Sequence, residues 1–340
     1  MKIAIVCPDD FTAWHFYKGL LKALKERDYD VYVVTAQGEY IRLIEGLGVI
    51  HIPIQMYRFI SPIKDLRFLI NLYKIFCKYS FDIVHNFTIK PNIYGAIAAR
   101  MSGVKNVFGT VEGLGFMYSK EGGLKIKLLR PLVSKLYQLS CSLSNRFWFV
   151  NPDDLTFFVS EKIIRKQKAV LIKSIGINVK EYSLNAVSNV RMAKFILVGP
   201  IEKGSPLSVP QEYLREKEKS ENFQWLGFRK DIKEILALSD LVVLPSYYRE
   251  GIPRSLLEAM ALEKPIITTN SAGCKEVVED GKNGYLIPIK DSKALADAIE
   301  VLINDDKKRA DFGRYSRLKA EKEFDEKVVV DRIIKELYEL

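Results

Sequence analysis

Two glutamates eight positions apart, Glu250 and Glu258, are the side chains whose type and spacing best suit chemistry on a ligand. Between them stands Pro253, which the first turn of a helix tolerates, so a helix is predicted to begin near Arg254 and Ser255. Carboxylates accept hydrogen bonds from sugar hydroxyls, and the N–H groups at a helix N-terminus face an anion. The arrangement predicts a nucleotide-sugar site. A pair of acids on a solvated surface is the alternative interpretation.

The elements around these residues form a predicted β-α-β unit. Residues 241–244 and 265–269 are apolar runs typical of buried parallel strands, and residues 254–262 form the helix between them. Ligands of open α/β sheets lie at the carboxyl ends of such strands, against helix N-termini. We therefore expect Glu250 on the loop at that edge and Glu258 on the helix behind it.

The segment EGIPRSLLEAMALEKPIITT, followed by a Gly-rich turn and EVVEDGKNGYLIP, resembles the signature of family 4 glycosyltransferases, which are retaining enzymes of the GT-B fold. In that family the first Glu of Glu-x7-Glu meets the donor sugar and the second meets the nucleotide ribose. The resemblance therefore implies a catalytic Glu250 at the sugar and Glu258 at the ribose. The other positions that it implies for donor binding are Gly251, Arg254, Ser255 and Gly273.

Two segments of the first half also resemble the family. HNFTIKPNIYG places His85 and Lys90 in register with the family segment H-x-x-T-x-K-P-N-x-x-G, and His85 is predicted to end a strand over residues 81–85. TVEGLG places Gly113 and Gly115 in a loop that faces the cleft in the family, directly after Glu112. The resemblance implies that these groups present the acceptor, with His85 as a second catalytic candidate. A structural histidine and a plain glycine turn are the alternatives.

The net charge of +10 is concentrated in the first half of the chain. Residues 1–150 hold 20 Lys and Arg against 11 Asp and Glu, and the remaining residues are nearly balanced. This excess favours an anionic partner for the first half. We expect no nucleic-acid partner, because no helix-turn-helix, RNP or zinc pattern accompanies the charge. An anionic membrane surface is the candidate partner.

Two basic segments could form that surface: residues 57–79 and residues 120–135 interleave Lys and Arg with large apolar side chains. Amphipathic basic helices lie in membrane interfaces, although a core-facing helix with a solvated basic face has the same pattern. No apolar run approaches the roughly 20 residues of a spanning helix. The sequence therefore predicts a cytoplasmic protein, with the inner face of the cell membrane as a candidate peripheral location.

The four cysteines and three histidines lack the spacing of metal ligands. We expect reduced core cysteines, no metal and no resident cofactor, the UDP-sugar donor being a co-substrate that the resemblance implies.

Strands alternate with helices along both halves, which predicts an α/β protein with doubly wound parallel sheets. With the resemblance, this implies the GT-B architecture of two Rossmann-like domains facing a cleft. We predict an acceptor-side domain over residues 1–177 and a nucleotide-sugar-binding domain over residues 178–310. Residues 311–340 are predicted to form terminal helices that pack back toward the first domain.

The second domain is predicted to be shortened. Family members carry a strand, a loop with an Arg and a nearby Lys, and a helix before the strand FILVG, where this chain has only LNAVSNVRMA, residues 184–193. The segment that grips the donor diphosphate in the family is therefore missing here. The missing strand would be an inner one, so its neighbours would lose a row of backbone partners.

The leading hypothesis is a retaining glycosyltransferase that moves a hexose or N-acetylhexosamine from a UDP-sugar to a lipid-linked or surface-polysaccharide acceptor, of the capsule or lipopolysaccharide kind. Catalysis would rest on positioning and on stabilising the departing diphosphate. The alternative is a catalytically impaired GT-B relative that binds a glycan, a partner or a membrane, and the missing segment is the feature that favours it.

Overall fold

The computed structural model describes residues 1–57, 61–114, 118, 124–179, 193–201 and 209–338, with the side chains of residues 124–127 excepted. All strand pairings among these residues are parallel.

The first half of the chain forms a seven-stranded sheet in the order β3-β2-β1-β4-β5-β6-β7. Its strands are β1 Lys2–Val6, β2 Asp30–Thr35, β3 Ile50–Pro53, β4 Ile83–Phe87, β5 Asn106–Val111, β6 Arg146–Phe149 and β7 Ala169–Leu171. The helices of this half are α1 Asp10–Glu26, α2 Ile41–Glu45, α3 Pro62–Tyr79, α4 Ala96–Met101, α5 Leu124–Leu143 and α6 Pro152–Ser160. A π-helical segment, Pro91–Gly95, precedes α4.

Strand β1 is apolar on both faces because helices cover both sides of the sheet. Ile3 and Ile5 belong to a buried cluster with residues of α1, whereas Ala4 and Val6 belong to a second cluster with residues of α3. Successive side chains of a strand point to opposite faces, so each face of β1 has its own layer of helices. The loops of this half that contain candidate site residues follow the carboxyl ends of the strands and lie at the edge that these ends form.

The second half contains two shorter parallel sheets. One has the order β10-β11-β12 and the other pairs β8 with β9. These strands are β8 Phe195–Leu197, β9 Phe223–Trp225, β10 Val242–Leu244, β11 Ile266–Thr269 and β12 Gly284–Ile287. The helices are α7 Gln211–Lys217, α8 Ile232–Leu238, α9 Arg254–Ala261 and α10 Ser292–Ile303.

The sequence predicts one sheet for the second half, whereas the described strands form two. Within the part of the chain that the structure describes, β8 pairs with β9 and β10 pairs with β11, and no pairing joins the two groups. Loss of an inner strand is a physical reason for such a break, because the strands on either side then lack a common neighbour. The predicted gap spans residues 184–193. Residues 184–192 lie outside the described residues, and Ala193, the last residue of the gap, is exposed.

The helices after α10 return to the first sheet. Helix α11 covers Asp306–Lys319 and helix α12 covers Glu326–Ile333, each followed by a π-helical segment, Ala320–Phe324 and Ile334–Tyr338. Val330, Ile333 and Leu337 are buried in the same cluster as Ile3 and Ile5 of β1. The end of the described chain is thus part of the core of the first half.

No helix among the described residues combines the length and the apolar character needed to cross a membrane.

Candidate functional site

Glu250 and Glu258 lie on the elements that their spacing predicts. Glu250 is on the loop between β10 and α9, and the Ser246 hydroxyl donates to its Oε1 at 2.9 Å. Glu258 is on α9 and only 8% exposed. Arg254, one helical turn earlier, donates from Nε to Glu258 Oε1 at 2.9 Å. The loop acid is therefore held by a neutral hydroxyl and the helix acid by a cation.

Arg254 joins the two halves of the molecule. Its Nη1 donates to the backbone oxygen of His15 on α1, and its guanidinium carbon lies 5.9 Å from the ring centre of Phe16. The sequence predicts that the backbone N–H groups near Arg254 face an anion, and the structure shows in addition that the Arg254 guanidinium contacts Glu258 and α1. Ser255, the next residue of α9, is exposed. Burial lowers the pKa of His15, and the nearby Arg254 lowers it further.

Three glycines bring backbone from both halves into contact. A Cβ at Gly251 would lie 1.7 Å from the oxygen of Glu112, and a Cβ at Gly113 would lie 2.6 Å from the nitrogen of Gly251. A Cβ at Gly273 would lie 1.4 Å from the oxygen of Gly251. Gly273 also has a φ of +82°, which L side chains rarely adopt. The loop after β5, the loop before α9 and the turn after β11 therefore meet only because these positions lack side chains.

Ion pairs hold the same loops from the side of α6. Arg249 donates to Asp154 Oδ1 from Nη2 at 2.8 Å and from Nε at 3.2 Å, and the Asp154 side chain is fully buried. Lys275, two residues after Gly273, lies 2.8 Å from Asp153 Oδ2. Burial raises the pKa of Asp154, while Asn151 and Arg249 oppose the rise by hydrogen bonding to it. Arg249, just before Gly251, and Lys275, just after Gly273, thus bind the two acids in the first turn of α6.

Glu112 places its backbone oxygen at this contact and also carries a titratable side chain. It follows β5 directly, its backbone oxygen lies against Gly251, and the Tyr17 hydroxyl donates to its carboxyl Oε1. Burial raises the pKa of Glu112 to about 7, Asp9 adds to the rise, and the hydrogen bond from Tyr17 opposes it. A carboxyl group with this pKa is present in both protonation states near neutral pH.

The expectation that His85 ends a strand and meets a ligand is wrong in its geometry. Strand β4 continues to Phe87, and His85 is 0% exposed. Its Nδ1 lies 2.6 Å from the Tyr338 hydroxyl and its Nε2 lies 2.7 Å from Thr110 Oγ1. Burial lowers the pKa of His85 to about 3, so the ring is neutral. Both ring nitrogens are engaged inside the core, which leaves none for an acceptor.

Lys90 also has protein partners where an acceptor was expected. Its Nζ lies 2.5 Å from Asp65 Oδ1 on α3 and donates to the backbone oxygen of Tyr57 at 2.6 Å. Asp65 in turn accepts from the Ser61 N–H at 3.1 Å. Lys90 therefore ties the start of α3 to the segment after β4. Gly115, the second glycine of the predicted acceptor loop, lies outside the described residues.

Among the described residues, no group of three or more His, Cys, Asp or Glu side chains is arranged to hold a metal ion.

Helix α6, whose ion pairs hold the loops of the candidate site, is absent from the elements predicted from the sequence. The segment NPDD, residues 151–154, contained the signal: Asn151 caps the helix by accepting from the Asp154 N–H, Pro152 is at the first helical position, and two acids occupy the first turn. The role of Glu112 had no such local signal, because it depends on contact with a residue far away in the chain.

Family models match both halves. Residues 149–319 match the model described as Glycosyl transferases group 1, and residues 2–151 match the model described as Glycosyl transferase 4-like. The chain belongs to the family 4 glycosyltransferases. It is therefore a glycosyltransferase, which the resemblance of the segment from Glu250 onward predicted.

Two relatives align over most of the chain. An N,N'-diacetylbacillosaminyl-diphospho-undecaprenol alpha-1,3-N-acetylgalactosaminyltransferase of Campylobacter jejuni is 29% identical over 376 residues, with 98% of each chain covered. A UDP-Gal:alpha-D-GlcNAc-diphosphoundecaprenol alpha-1,3-galactosyltransferase of Escherichia coli is 31% identical, with 74% of this chain and 73% of the relative covered. The first alignment is longer than the 340 residues of this chain, so it includes positions at which this glycosyltransferase has no residue.

Solved structures confirm the predicted fold class. HepE of Anabaena in complex with UDP has a TM-score of 0.76 at 20% identity, with 100% of each chain covered. A sucrose-phosphate synthase of Thermosynechococcus elongatus has a TM-score of 0.81 at 16% identity, with 99% of this chain and 98% of that chain covered. These neighbours are GT-B proteins, so this glycosyltransferase has the GT-B fold.

Proposed function

We propose that this glycosyltransferase moves a hexose or N-acetylhexosamine from a UDP-sugar to a lipid-linked acceptor with retention of configuration. The observation that carries the proposal is the pair Glu250 and Glu258, on a loop and a buried helix at the carboxyl edge of a parallel sheet. The two relatives named above act on diphospho-undecaprenol-linked sugars, and the name of the second specifies UDP-Gal.

On the donor side, we assign the ribose to Glu258 and the sugar to Glu250, with Gly251 and Gly273 allowing backbone to approach it closely. The first turn of α9, at Ser255, would face the diphosphate, because helix N-termini favour anions. Arg254 takes a positioning role, since its hydrogen bond to Glu258 fixes the direction in which that carboxylate points. In the proposed transfer, which uses no metal, Glu258 and Glu250 orient the donor and the N-terminus of α9 stabilises the leaving diphosphate.

On the acceptor side, we assign the loop after β5, from Glu112 to Gly113, because it touches the donor loop at Gly251. His85 and Lys90 support this side structurally through their contacts inside the first half. The proposed division keeps an acceptor domain over residues 1–177, a donor domain over residues 178–310 and terminal helices from residue 311 onward.

We also propose that the first half rests on an anionic membrane at the inner face of the cell membrane, with no nucleic-acid partner. Helix α3 carries exposed apolar side chains along one line, and exposed cations lie beside that line. The apolar side chains are Ile63, Leu66, Ile70 and Tyr73, and the cations are Lys64, Arg67, Lys74 and Lys78. Such an apolar row enters the interface between membrane and water, and each basic residue near anionic lipid contributes about 1 kcal/mol to the free energy of membrane binding.

Calorimetric titration with UDP and a panel of UDP-sugars tests the donor assignment. Glu258→Ala should weaken UDP binding roughly 10- to 100-fold, because it removes a charge-assisted hydrogen bond. Glu300→Ala, which removes an exposed carboxylate from α10, is the matched control and should bind normally. Absence of UDP binding at millimolar concentration by the folded parent protein would contradict the proposed function and favour the impaired relative.

A further inference from the structure

A groove between α5 and α6 lies outside the donor site and has the chemistry of an anion site. Tyr118, α5 and residues 157–163 line it, and its charged side chains are Arg130, Lys135, Lys162 and Glu161. Three cations thus face one acid. The Arg130 guanidinium lies 5.8 Å from the ring centre of Tyr118, and Gln138 donates to the Lys162 backbone oxygen at 3.1 Å. The walls are therefore held together by contacts that cross the groove.

An apolar ridge borders this groove on the same helix. Leu128, Leu132 and Leu139 are exposed by 71%, 56% and 45%, and they recur at helical spacing. Residues of α5 project about 100° apart around the axis, so Lys135 lies roughly 40° from the centre of the ridge, whereas Arg130 lies about 180° from it, at the far side of the groove. Apolar surface and cationic groove are therefore adjacent along the helix.

The opposite wall of the groove leads to the donor loop. Phe157 of α6 lines the groove, its ring packs edge-on against Tyr118 at 5.2 Å, and the Arg249 guanidinium lies 5.2 Å from its centre. Arg249 precedes Glu250. From the ridge to the groove and across Phe157, the surface passes from apolar to cationic and then to the donor loop.

We propose that this groove binds the diphosphate of a polyprenyl-diphosphate-linked acceptor, an inference that rests on the proposed lipid-linked acceptor. Such a molecule has an apolar chain, then a doubly charged diphosphate, then a sugar, and the surface presents matching chemistry in the same order. The groove has an excess of two positive charges, which matches in magnitude the two negative charges of the diphosphate. Guanidinium and ammonium groups are suitable donors for phosphate oxygens. An anionic phospholipid headgroup offers related chemistry, and the experiment below separates the two sources.

The test compares two acceptors in uncharged detergent micelles. One is N-acetylglucosamine linked by diphosphate to a short prenyl chain, and the other is the same sugar as an alkyl glycoside without phosphate. The donors are UDP-galactose and UDP-N-acetylgalactosamine. The test variant is Arg130→Gln/Lys162→Gln. The matched control, Arg165→Gln/Lys166→Gln, removes two exposed cations that do not line the groove.

The groove variant should raise KM for the diphosphate acceptor about 100-fold, roughly tenfold for each charge-assisted contact removed. KM for the alkyl glycoside and for the donor should stay unchanged, as should all constants of the control variant. An equal rise for both acceptors, or no rise for either, would overturn the proposal.

Binding to phosphatidylglycerol vesicles without acceptor identifies the other source of phosphate. If the groove variant binds these vesicles less well than the control variant while its acceptor KM is normal, the groove serves lipid headgroups and the proposal is overturned. Failure of the parent protein to use either acceptor would instead refute the proposed lipid-linked function, and the groove assignment with it.

Discussion

Replacement of Glu112 by glutamine should change how the stability of this glycosyltransferase depends on pH. Glutamine has nearly the shape of glutamic acid and retains an oxygen that accepts from Tyr17, but it cannot ionise. Burial holds the pKa of Glu112 at about 7, against an ordinary value of 4.5. Between these two values the unfolded chain has lost the proton and the folded chain retains it.

The sign follows from proton linkage. The folded state binds more protons in this window, so its stability falls as pH rises from 4.5 through 7 and then levels off. The difference between a pKa of about 7 and the ordinary 4.5 corresponds to about 3 kcal/mol of free energy of unfolding, most of which is lost between pH 5 and pH 8. The Glu112→Gln variant lacks this loss. Its stability relative to the parent should therefore rise by about 2 to 3 kcal/mol over the same interval.

Urea unfolding at pH 5 and pH 8 measures the effect. Glu279→Gln is the control, because hydrogen bonds from Lys319, Tyr315 and Lys282 lower the pKa of Glu279 to about 2. The Glu279 carboxylate contributes its full stabilisation above pH 4.5 and loses it only as pH falls toward 2. The difference in free energy of unfolding between Glu279→Gln and the parent should therefore not change between pH 5 and pH 8. If the difference in stability between Glu112→Gln and the parent is equally constant, the argument that the folded protein holds the Glu112 carboxyl protonated up to about pH 7 is refuted.

Three further outcomes are expected. Gly273→Ala should lower kcat/KM by at least 100-fold, because its Cβ would overlap the backbone oxygen of Gly251. The control Gly281→Ala also changes a glycine of positive φ, +73°, but its Cβ would have nothing within 4 Å, so kcat/KM should stay nearly unchanged. Equal losses in the two variants would contradict the steric argument. His85→Ala should lower the free energy of unfolding by about 3 kcal/mol, since two buried partners lose their hydrogen bonds. The folded variant should keep its kcat within about threefold. A loss in kcat near 1000-fold would instead indicate a catalytic role for His85. Ile63→Ser/Ile70→Ser should weaken sedimentation with phosphatidylglycerol vesicles about tenfold and leave UDP binding unchanged, and vesicle binding equal to that of the parent would refute the α3 surface.

Local pattern predicted most of the elements in this chain. The alternation of apolar runs and helical spacing predicted the parallel strands, and the basic segment of residues 57–79, whose pattern is that of an amphipathic helix, contains α3. The positions of Glu250 and Glu258 followed from the same reasoning, since a loop and a helix between two buried strands leave few other arrangements.

Contacts between distant parts of the chain were not predictable in this way. The local pattern around His85 is the same whether its ring faces a cleft or the core, and only the packing of Tyr338 and Thr110 decides the matter. Lys90 likewise found its partner on α3, 25 residues earlier in the chain. The separation of β8 and β9 from the other strands depends on which neighbours are present, which no single segment specifies.

The return of α12 to the first sheet has a consequence for the order of events during synthesis. The cluster around Ile3 and Ile5 includes Val330 and Ile333, which the ribosome adds some 160 residues after the last strand of that sheet, Ala169–Leu171. At roughly 5 to 20 residues per second, the nascent sheet waits about 8 to 32 seconds with that apolar surface uncovered. Chaperone binding to ribosome-bound chains should therefore concentrate on this surface and end when α12 emerges.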